Sequence, residues 1–313
     1  MAHDRKFRFA VQVDGPYDGA GWSTVARKIE DLGYSTLYMP DHFVDTELAP
    51  MVGISFAAAA TERLRVGMLV LGNDYKHPAV TAKEAATVDL LSEGRLEFGI
   101  GAGWMQADYD ALGLTYDSAG VRIDRLAEAL HIIKGAWGPE PFDHDGKHYT
   151  IRSYNGTPKP VQQPRPPIVV GGGGPRLLRL AGREADIVGI NPNLRAGEIT
   201  GDALQSSLAA ETRKKVGWIR EGAGARFDDL ELQVRYFIAA ITNDARGVAD
   251  AVADAAGTTA DEALASAVAL VGTVDSVCDS LVERREEWGV SYVVLGHDTF
   301  EAFAPVVERL AGT

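Results

Sequence analysis

A polar pair that follows a short apolar run is the first candidate for proton chemistry. Asp41 and His42 come one residue, Pro40, after residues 35–39, a segment with the pattern of a buried strand. A carboxylate beside an imidazole can hold a proton that titrates near neutral pH, as a general acid or base requires. The ordinary alternative is that Asp41 caps a turn and His42 is a packed polar side chain. Both interpretations stay open for the sequence alone.

A run of four glycines, residues 171–174, is the first candidate for anion binding. It follows an apolar strand pattern at 168–170 and precedes Pro175, which suits the first turn of a helix. Backbone N–H groups of such a turn can approach a phosphate, and the positive end of the helix dipole favours an anion. Arginines in the following helix could assist, or they could be solvated on its outer face. Glycine runs also form plain tight turns.

A second turn of small residues ends another strand pattern at residues 96–100. Gly101, Ala102 and Gly103 let a ring or chain come close to the backbone, although a lone G-x-G-x-G is weak evidence for a dinucleotide loop. Trp104, which follows, is either a pocket wall or a core anchor. Further polar residues at predicted strand ends are candidates for pocket lining, with turn chemistry as their alternative: Asn73, His77, Asn191 and His297.

Several other chemistries lack their residues. There is no G-x-S-x-G motif, and the single cysteine, Cys278, falls in a helical pattern, so no nucleophile for covalent hydrolysis is visible. The remaining histidines show no spacing typical of a metal site, and we predict no catalytic metal. Redox chemistry through a bound cofactor fits the residues better.

The elements that must position these residues form a repeating pattern. Eight strand patterns begin near residues 7, 35, 65, 95, 167, 186, 230 and 291, nearly all separated by helical patterns. They predict one closed (β/α)8 TIM barrel with insertion loops over residues 1–313, whose strand ends meet at one rim. An open doubly wound sheet would need a glycine fingerprint after the first strand, and none is present. Residues 138–167, with seven of the fourteen prolines, are predicted to be an ordered excursion without regular structure.

Composition narrows the partners. The net charge of −13 disfavours nucleic acid, and no uninterrupted apolar run approaches the ~20 residues of a membrane span. The first residues lack the apolar core of an export signal. We therefore expect a cytoplasmic protein that acts on a small-molecule substrate without binding nucleic acid or membrane.

One stretch also resembles a known family. An apolar strand ending near Asn73 is followed by His77-Pro78, then by K-E-A-A-T-x-D-x-L-S-x-G-R-L and G-x-G-A-G-W. This order resembles the bacterial luciferase-like monooxygenase superfamily, and within it the actinobacterial oxidoreductases that use the deazaflavin coenzyme F420. The resemblance extends from Phe7 to the last helix. It implies a (β/α)8 barrel, in agreement with the strand count.

The resemblance implies roles for individual residues. His42, with Asp41, is expected to perform acid/base duty beside the deazaflavin ring. Leu69 and Val70 lie where family members have a bulge against the back of the ring, often with a cis peptide bond. Trp104 departs from the Glu of members that oxidise glucose 6-phosphate, which puts a sugar phosphate in doubt. The expected cofactor-binding residues are Leu69, Val70, Asn73, Gly101, Ala102, Gly103, Trp104, Gly172, Gly173 and Gly174.

The resulting hypothesis is an F420-dependent oxidoreductase that passes hydride between the deazaflavin and a small organic substrate. The alternative is an FMN-dependent monooxygenase of the same superfamily. A metal-dependent barrel hydrolase with Asp41 and His42 as ligands, and a non-catalytic cofactor-binding member, remain as readings from other classes. The resemblance also implies a homodimer that pairs through the helices after the second and third strands, where alanine-rich faces (residues 54–60 and 82–86) would permit close approach.

Overall fold

The computed structural model describes residues 5–17, 19–44, 46–198 and 200–313. The strands of this part of the chain are β1 (Arg8–Gln12), β2 (Thr36–Met39), β3 (Arg65–Met68), β4 (Leu71–Gly72), β5 (Leu96–Gly101), β6 (Phe142–Asp145), β7 (Thr150–Tyr154), β8 (Ile168–Gly172), β9 (Ile187–Ile190), β10 (Glu231–Arg235), β11 (Ile238–Ile241), β12 (Ala269–Gly272) and β13 (Val290–Gly296).

The helices surround these strands. They are α1 (Trp22–Asp31), α2 (Pro50–Ala60), α3 (Pro78–Leu91), α4 (Gln106–Leu112), α5 (Ala119–Trp137), α6 (Pro175–Glu184), α7 (Gly201–Gln205), α8 (Ala209–Ala223), α9 (Ala245–Ala256), α10 (Ala260–Leu264), α11 (Val274–Trp288) and α12 (Ala304–Leu310), with 3-10 turns at Asn73–Tyr75 and Gly224–Asp229. Within the described ranges, none of the helices has both the length and the apolar character needed to cross a membrane.

Eight parallel strands close into a barrel. The order around it is β1, β2, β3, β5, β8, β9, β10 and β13, and β13 pairs with β1. Each of these strands begins within one residue of its predicted start, so the predicted (β/α)8 barrel is confirmed. All strands run in the same direction, so their carboxyl ends meet at one rim, which we call the barrel mouth.

The strands bury one face on the helices and the other in the barrel. Phe98 and Ile100 of β5 face outward into the apolar layer under the helices, and Trp137 of α5 packs there against Phe98. The Trp137 indole donates a hydrogen bond of 2.9 Å to the carbonyl oxygen of Ala82. Helix α3 begins at Pro78, and Gly94 follows its end with a φ of 82°, a conformation that glycine adopts without steric cost.

Two segments differ from the sequence-based expectations. Residues 138–167 contain an antiparallel hairpin of β6 and β7, where irregular structure was expected. Its residues are mostly polar and partly exposed, so the hydrophobic alternation that would indicate strands is weak. The alternation of Leu230, Leu232, Val234, Tyr236 and Ile238 predicts one strand that continues to Ile238, but β10 ends at Arg235, and β11 instead pairs with β12 outside the barrel. The alanine-rich sequence before β12 forms α9 and α10, in agreement with its helical propensity.

A buried carboxylate ties the lower part of the barrel together. Glu97 of β5 has a side chain that is 1% exposed, and it accepts hydrogen bonds of 2.8 Å from both Arg8 and Arg65. It also accepts a hydrogen bond of 2.9 Å from the Tyr292 hydroxyl and a further one from Tyr38. Burial alone raises the pKa of Glu97, but the two guanidinium groups outweigh burial and hold this pKa below its usual value.

We predict that Glu97→Gln lowers the free energy of unfolding by about 3 kcal/mol at neutral pH, because Arg65 loses its anion and Arg8 is left with Glu231 alone. The folded-state pKa of Glu97 is depressed, so its contribution is complete above the unfolded pKa of about 4.3 and is lost as the pH falls through the folded value. Urea denaturation from about pH 7 to about pH 3 should show the difference from wild type narrowing in acid. The exposed Glu140→Gln serves as control, and a pH-independent difference for Glu97→Gln would contradict the prediction.

Candidate active site at the barrel mouth

His42 follows β2 and is held by a carboxylate from another loop. Its Nδ1 atom lies 2.7 Å from Oδ2 of Asp108, whose side chain is fully buried in the first turn of α4. The other oxygen of Asp108 accepts the backbone N–H groups of Phe43 at 2.8 Å and Val44 at 3.3 Å. One carboxylate therefore fixes both the imidazole and the backbone after it. The Nε2 atom has no hydrogen-bond partner in the described part of the chain and is the nitrogen left for a ligand.

Asp41 accepts a hydrogen bond from the backbone rather than from the neighbouring His42. Its Oδ2 atom accepts the backbone N–H of Gly72 at 3.0 Å, so it joins the loop after β2 to β4. Burial raises the pKa of Asp41, and the Gly72 hydrogen bond offsets part of that increase. Asp108 was not identified from the sequence. Its one signal was an acidic residue shortly after the G-x-G-A-G-W turn, which is also typical of an ordinary helix start.

The strand that β3 begins is interrupted at Leu69 and Val70. The peptide bond between them is cis, as the resemblance implied, and the chain continues as β4. The Leu69 carbonyl oxygen accepts a hydrogen bond of 2.7 Å from Nε2 of Gln12. The Val70 side chain lies over β5, where a Cβ atom at Gly101 would be 2.7 Å from Val70 Cγ2. Glycine at position 101 therefore provides the room that this side chain occupies.

Asn73, directly after β4, carries a buried polar atom without a partner. Its amide nitrogen donates to the Tyr149 hydroxyl at 3.2 Å, which brings the hairpin region to the barrel mouth. Its Oδ1 atom is sealed from solvent and has no hydrogen-bond partner among the described residues. An unpaired buried acceptor is costly, and the N–H of a bound ligand would satisfy it. Asn73 is 4% exposed.

In the turn after β5, close packing against Tyr109 requires a glycine at position 103. Gly103 has a φ of 75°, and a Cβ atom there would collide with the Tyr109 hydroxyl. That hydroxyl donates to Asp74 at 3.1 Å, so Gly103 permits a contact within the protein as well as a left-handed turn. Trp104 lies edge-on to the His42 ring, with 5.5 Å between the ring centroids. Trp104 is therefore a wall beside His42, and Ala102 is buried.

The four-glycine segment ends in an uncovered helix N-terminus. β8 includes Gly171 and Gly172, and α6 begins at Pro175. A Cβ atom at Gly173 would collide with the Pro192 carbonyl oxygen, whereas nothing lies within 4 Å of one at Gly174. Gly174 is the N-cap and supplies no side-chain hydrogen bond, so the first N–H groups of α6 are available to an anion.

The arginines of α6 form ion pairs with carboxylates away from the glycine turn. Arg176 pairs with Asp124 of α5, Arg179 pairs with Glu221 at 2.7 Å, and Arg183 pairs with Glu184 at 2.9 Å. These pairs lie on the outer helical layer, as the solvated alternative for these residues predicted. An anion bound at residues 172–174 would therefore be held by backbone groups.

The barrel mouth brings the predicted residues together, but a single enclosed cavity does not include all of them. A cavity of 380 Å³ is lined by Asp41, His42 and Asn73 together with the start of α2, whereas residues 101–104 and 172–174 lie outside it. His77 is the N-cap of α3 and its Nδ1 accepts the Ala79 N–H at 3.2 Å, which is the turn role considered as its alternative. The described residues contain no group of three potential metal ligands.

The fold defines a (β/α)8 barrel protein, and the candidate ligand site lies among the loops after β2, β4, β5 and β8. The sequence profile of the luciferase-like monooxygenase family matches residues 20–292. The chain belongs to the luciferase-like monooxygenase family.

Individual relatives include both F420 and flavin proteins. The F420-dependent glucose-6-phosphate dehydrogenase of Microbacterium testaceum (strain StLB037) is 32% identical over 61% of this chain and 60% of its own length. The FMNH(2)-dependent dimethylsulfone monooxygenase of Pseudomonas putida is 31% identical over 49% of this chain and 42% of its own length. The matches thus span less than two thirds of these relatives. The coenzyme F420 dependent tetrahydromethanopterin reductase of Methanopyrus kandleri has the same fold, with a TM-score of 0.77, 20% identity and coverage of 98% and 99%.

We predict that Asp108→Asn loosens the loop after β2. The backbone N–H groups of Phe43 and Val44 would lose a charged acceptor, so their hydrogen exchange should become about tenfold faster or more, as measured by mass spectrometry or NMR. Asp110→Asn, an exposed change on the same helix, is the matched control. Unchanged exchange at both amides in Asp108→Asn would show that the carboxylate charge does not hold this loop.

Proposed function

We propose that the protein is a cytoplasmic F420-dependent oxidoreductase that transfers hydride between the deazaflavin and a small organic substrate. The observation that carries this proposal is the arrangement of the barrel mouth, where an imidazole fixed by Asp108 shares one rim with the uncovered N-terminus of α6. Similarity to F420-dependent dehydrogenases supports the choice of cofactor.

The residues present suit a deazaflavin with a phosphate-bearing side chain. The unpartnered Oδ1 of Asn73 can accept an N–H of the ring system. Leu69 and Val70 would lie against the back of the ring, with Gly101 leaving the space that Val70 needs. Gly172, Gly173 and Gly174 would hold phosphate through backbone N–H groups, because the neighbouring arginines are engaged elsewhere.

The protein's own groups would handle the proton. A bound deazaflavin supplies two-electron hydride chemistry. Asp108 holds Nδ1 of His42 and so presents Nε2 for exchanging a proton at the substrate oxygen. Trp104 narrows the access of water to the imidazole from one side. Asp41 contributes by joining the loop that carries His42 to β4.

An FMN-dependent monooxygenase is the second candidate, because an FMNH(2)-dependent relative is 31% identical. The hydrolase reading has less support: Asp41 contacts Gly72 and His42 contacts Asp108, so the two side chains do not converge on one point as metal ligands would. A non-catalytic member of the family would bind cofactor without turning over any substrate.

We expect fluorescence titration of the purified protein to give tighter binding for F420 than for FMN. Gly174→Asp should weaken F420 binding about tenfold or more, because it adds a negative charge where phosphate would bind. Asp is also a favourable N-cap, so the helix should not be destabilised.

Gly174→Asn is the matched control, since it has the same shape without the charge, and it should bind F420 within about threefold of wild type. Tighter binding of FMN than of F420 would favour the monooxygenase. Equal affinities of the Asp and Asn variants would remove the phosphate site from residues 172–174.

We also propose a homodimer that pairs through α2 and α3. Most of the alanines expected to form the contact, including Ala57 and Ala82, are instead buried within the protein itself, and only Ala59 is exposed. The outward faces of the two helices carry larger apolar side chains: Val52 is 59% exposed, Phe56 64% and Val80 49%. Exposed apolar residues grouped on adjacent helices are typical of an interaction surface.

Phe56→Glu should therefore convert the dimer to a monomer, because it places a charge at the centre of this apolar surface. Light scattering coupled to size-exclusion chromatography measures the mass directly. Leu112→Glu, at an exposed apolar position on α4, should leave the mass unchanged. A wild-type protein that elutes as a monomer, or a dimer that tolerates Phe56→Glu, would contradict the pairing.

A further inference from the structure

The strand β10 carries an arginine at the barrel mouth that forms no ion pair with any residue that the structure describes. The inward-facing residues of β10 alternate as Glu231, Gln233 and Arg235, and Arg235 is the last of them. Its Nε donates to Oε1 of Gln12 at 3.0 Å, and its Nη1 donates to the Tyr236 carbonyl oxygen. These two hydrogen bonds fix the direction of the guanidinium group.

The third nitrogen, Nη2, remains to be accounted for. It has no hydrogen-bond partner within the described residues, and it is not among the unpartnered atoms that are sealed from solvent. The inward arginines lower in the barrel behave differently, since Arg8 and Arg65 both pair with Glu97. Arg284, buried elsewhere without an ion pair, donates to the carbonyl oxygens of Ala269 and Leu264 instead. Arg235 alone in this set presents open donors toward the mouth.

The Arg235 guanidinium group is charged although it is partly buried. Burial lowers the pKa of Arg235 to about 10, and the negative charge of Asp298 opposes that effect only in part. A guanidinium with this pKa is protonated at neutral pH. A half-buried cation without a paired anion is poorly solvated, so an incoming anion gains more there than at an exposed surface arginine.

The space beside Nη2 is kept open by a glycine. A Cβ atom at Gly296 of β13 would lie 3.0 Å from Nη2 and would collide with Asp298. On another side, the Phe237 ring lies 4.8 Å from the guanidinium carbon and is 50% exposed. The free donors therefore adjoin a flat apolar surface, a combination that suits a carboxylate attached to a planar or apolar body.

A chain of hydrogen bonds connects Arg235 to the proposed position of the deazaflavin ring. Gln12 accepts from Arg235 and donates to the Leu69 carbonyl oxygen at 2.7 Å. One glutamine side chain thus separates the free guanidinium donors from the bulge at Leu69 and Val70. A ligand bound to Arg235 would lie in the mouth that the reacting ring shares.

We propose that Arg235 is the substrate-binding residue that recognises a carboxylate, with Phe237 packing against the body of the substrate. This inference rests on the proposed oxidoreductase function and specifies its substrate class. A monoanion fits better than a phosphate dianion, because Asp298 and Asp14 place negative charge at the same rim and the site offers one guanidinium.

The test uses benzoate as the carboxylate probe and benzamide as its neutral counterpart, measured by calorimetry on the full chain without cofactor. Wild-type protein should bind benzoate at least about tenfold more tightly than benzamide, and Arg235→Met should remove that difference. Arg27→Met, the same change on the exposed face of α1, should behave as wild type. Inorganic phosphate should bind more weakly than benzoate.

A second variant keeps the test independent of the folding of Arg235→Met. Asp298→Asn removes the neighbouring negative charge, so benzoate should bind about two- to threefold more tightly while benzamide is unaffected. Absence of benzoate binding in wild type, equal affinity for the two probes, or an unchanged benzoate affinity in both variants would overturn the proposal. F420 affinity is measured separately by fluorescence, so failure of the cofactor assignment is distinguishable from failure of the carboxylate site.

Discussion

The barrel depends on one carboxylate that several strands share. Glu97 accepts hydrogen bonds from residues of β1, β2, β3 and β13, so five of the eight barrel strands, counting its own β5, converge on a single anion. Because the buried carboxylate is fully paired, its burial leaves no unpaired ion, and its shared hydrogen bonds set the relative positions of the strands. The hydrogen bonds to Glu97 therefore also determine where the strands end at the barrel mouth.

Among the side chains that the barrel strands direct inward, polar pairing differs between the lower end and the mouth. Near the lower end, Arg8 is matched by both Glu97 and Glu231. In the middle, Gln233 donates to the Tyr38 hydroxyl at 3.4 Å. At the mouth, Asn73 Oδ1 and Arg235 Nη2 lack partners in the part of the chain that the structure describes. Two unpaired polar groups therefore lie where a ligand can enter, as at a binding site, while Trp288 Nε1 and Ser291 Oγ near the start of β13 are unpartnered as well.

The sequence was sufficient for the architecture because strand and helix patterns are local. Eight strand starts, the end of β5 and the glycines before α6 all follow from short-range periodicity and turn residues. The partner of His42 did not follow, since Asp108 lies 66 positions away and meets the imidazole only when the barrel closes. The open donors of Arg235 likewise depend on Gln12 and Gly296 from other strands. The β6–β7 hairpin was not predicted because both of its faces are largely exposed to solvent, so its sequence lacks a clear hydrophobic alternation.

The close backbone approach between Gly173 and Pro192 has a consequence for recombination between homologues. No side chain separates the segment after β8 from the segment after β9, because a Cβ atom at position 173 would meet the Pro192 carbonyl. The two segments are therefore complementary surfaces that must be inherited together. A chimera that exchanges the loop after β9 for one with a different course would need the matching glycine segment from the same parent, or it would assemble with a gap or an overlap at this seam.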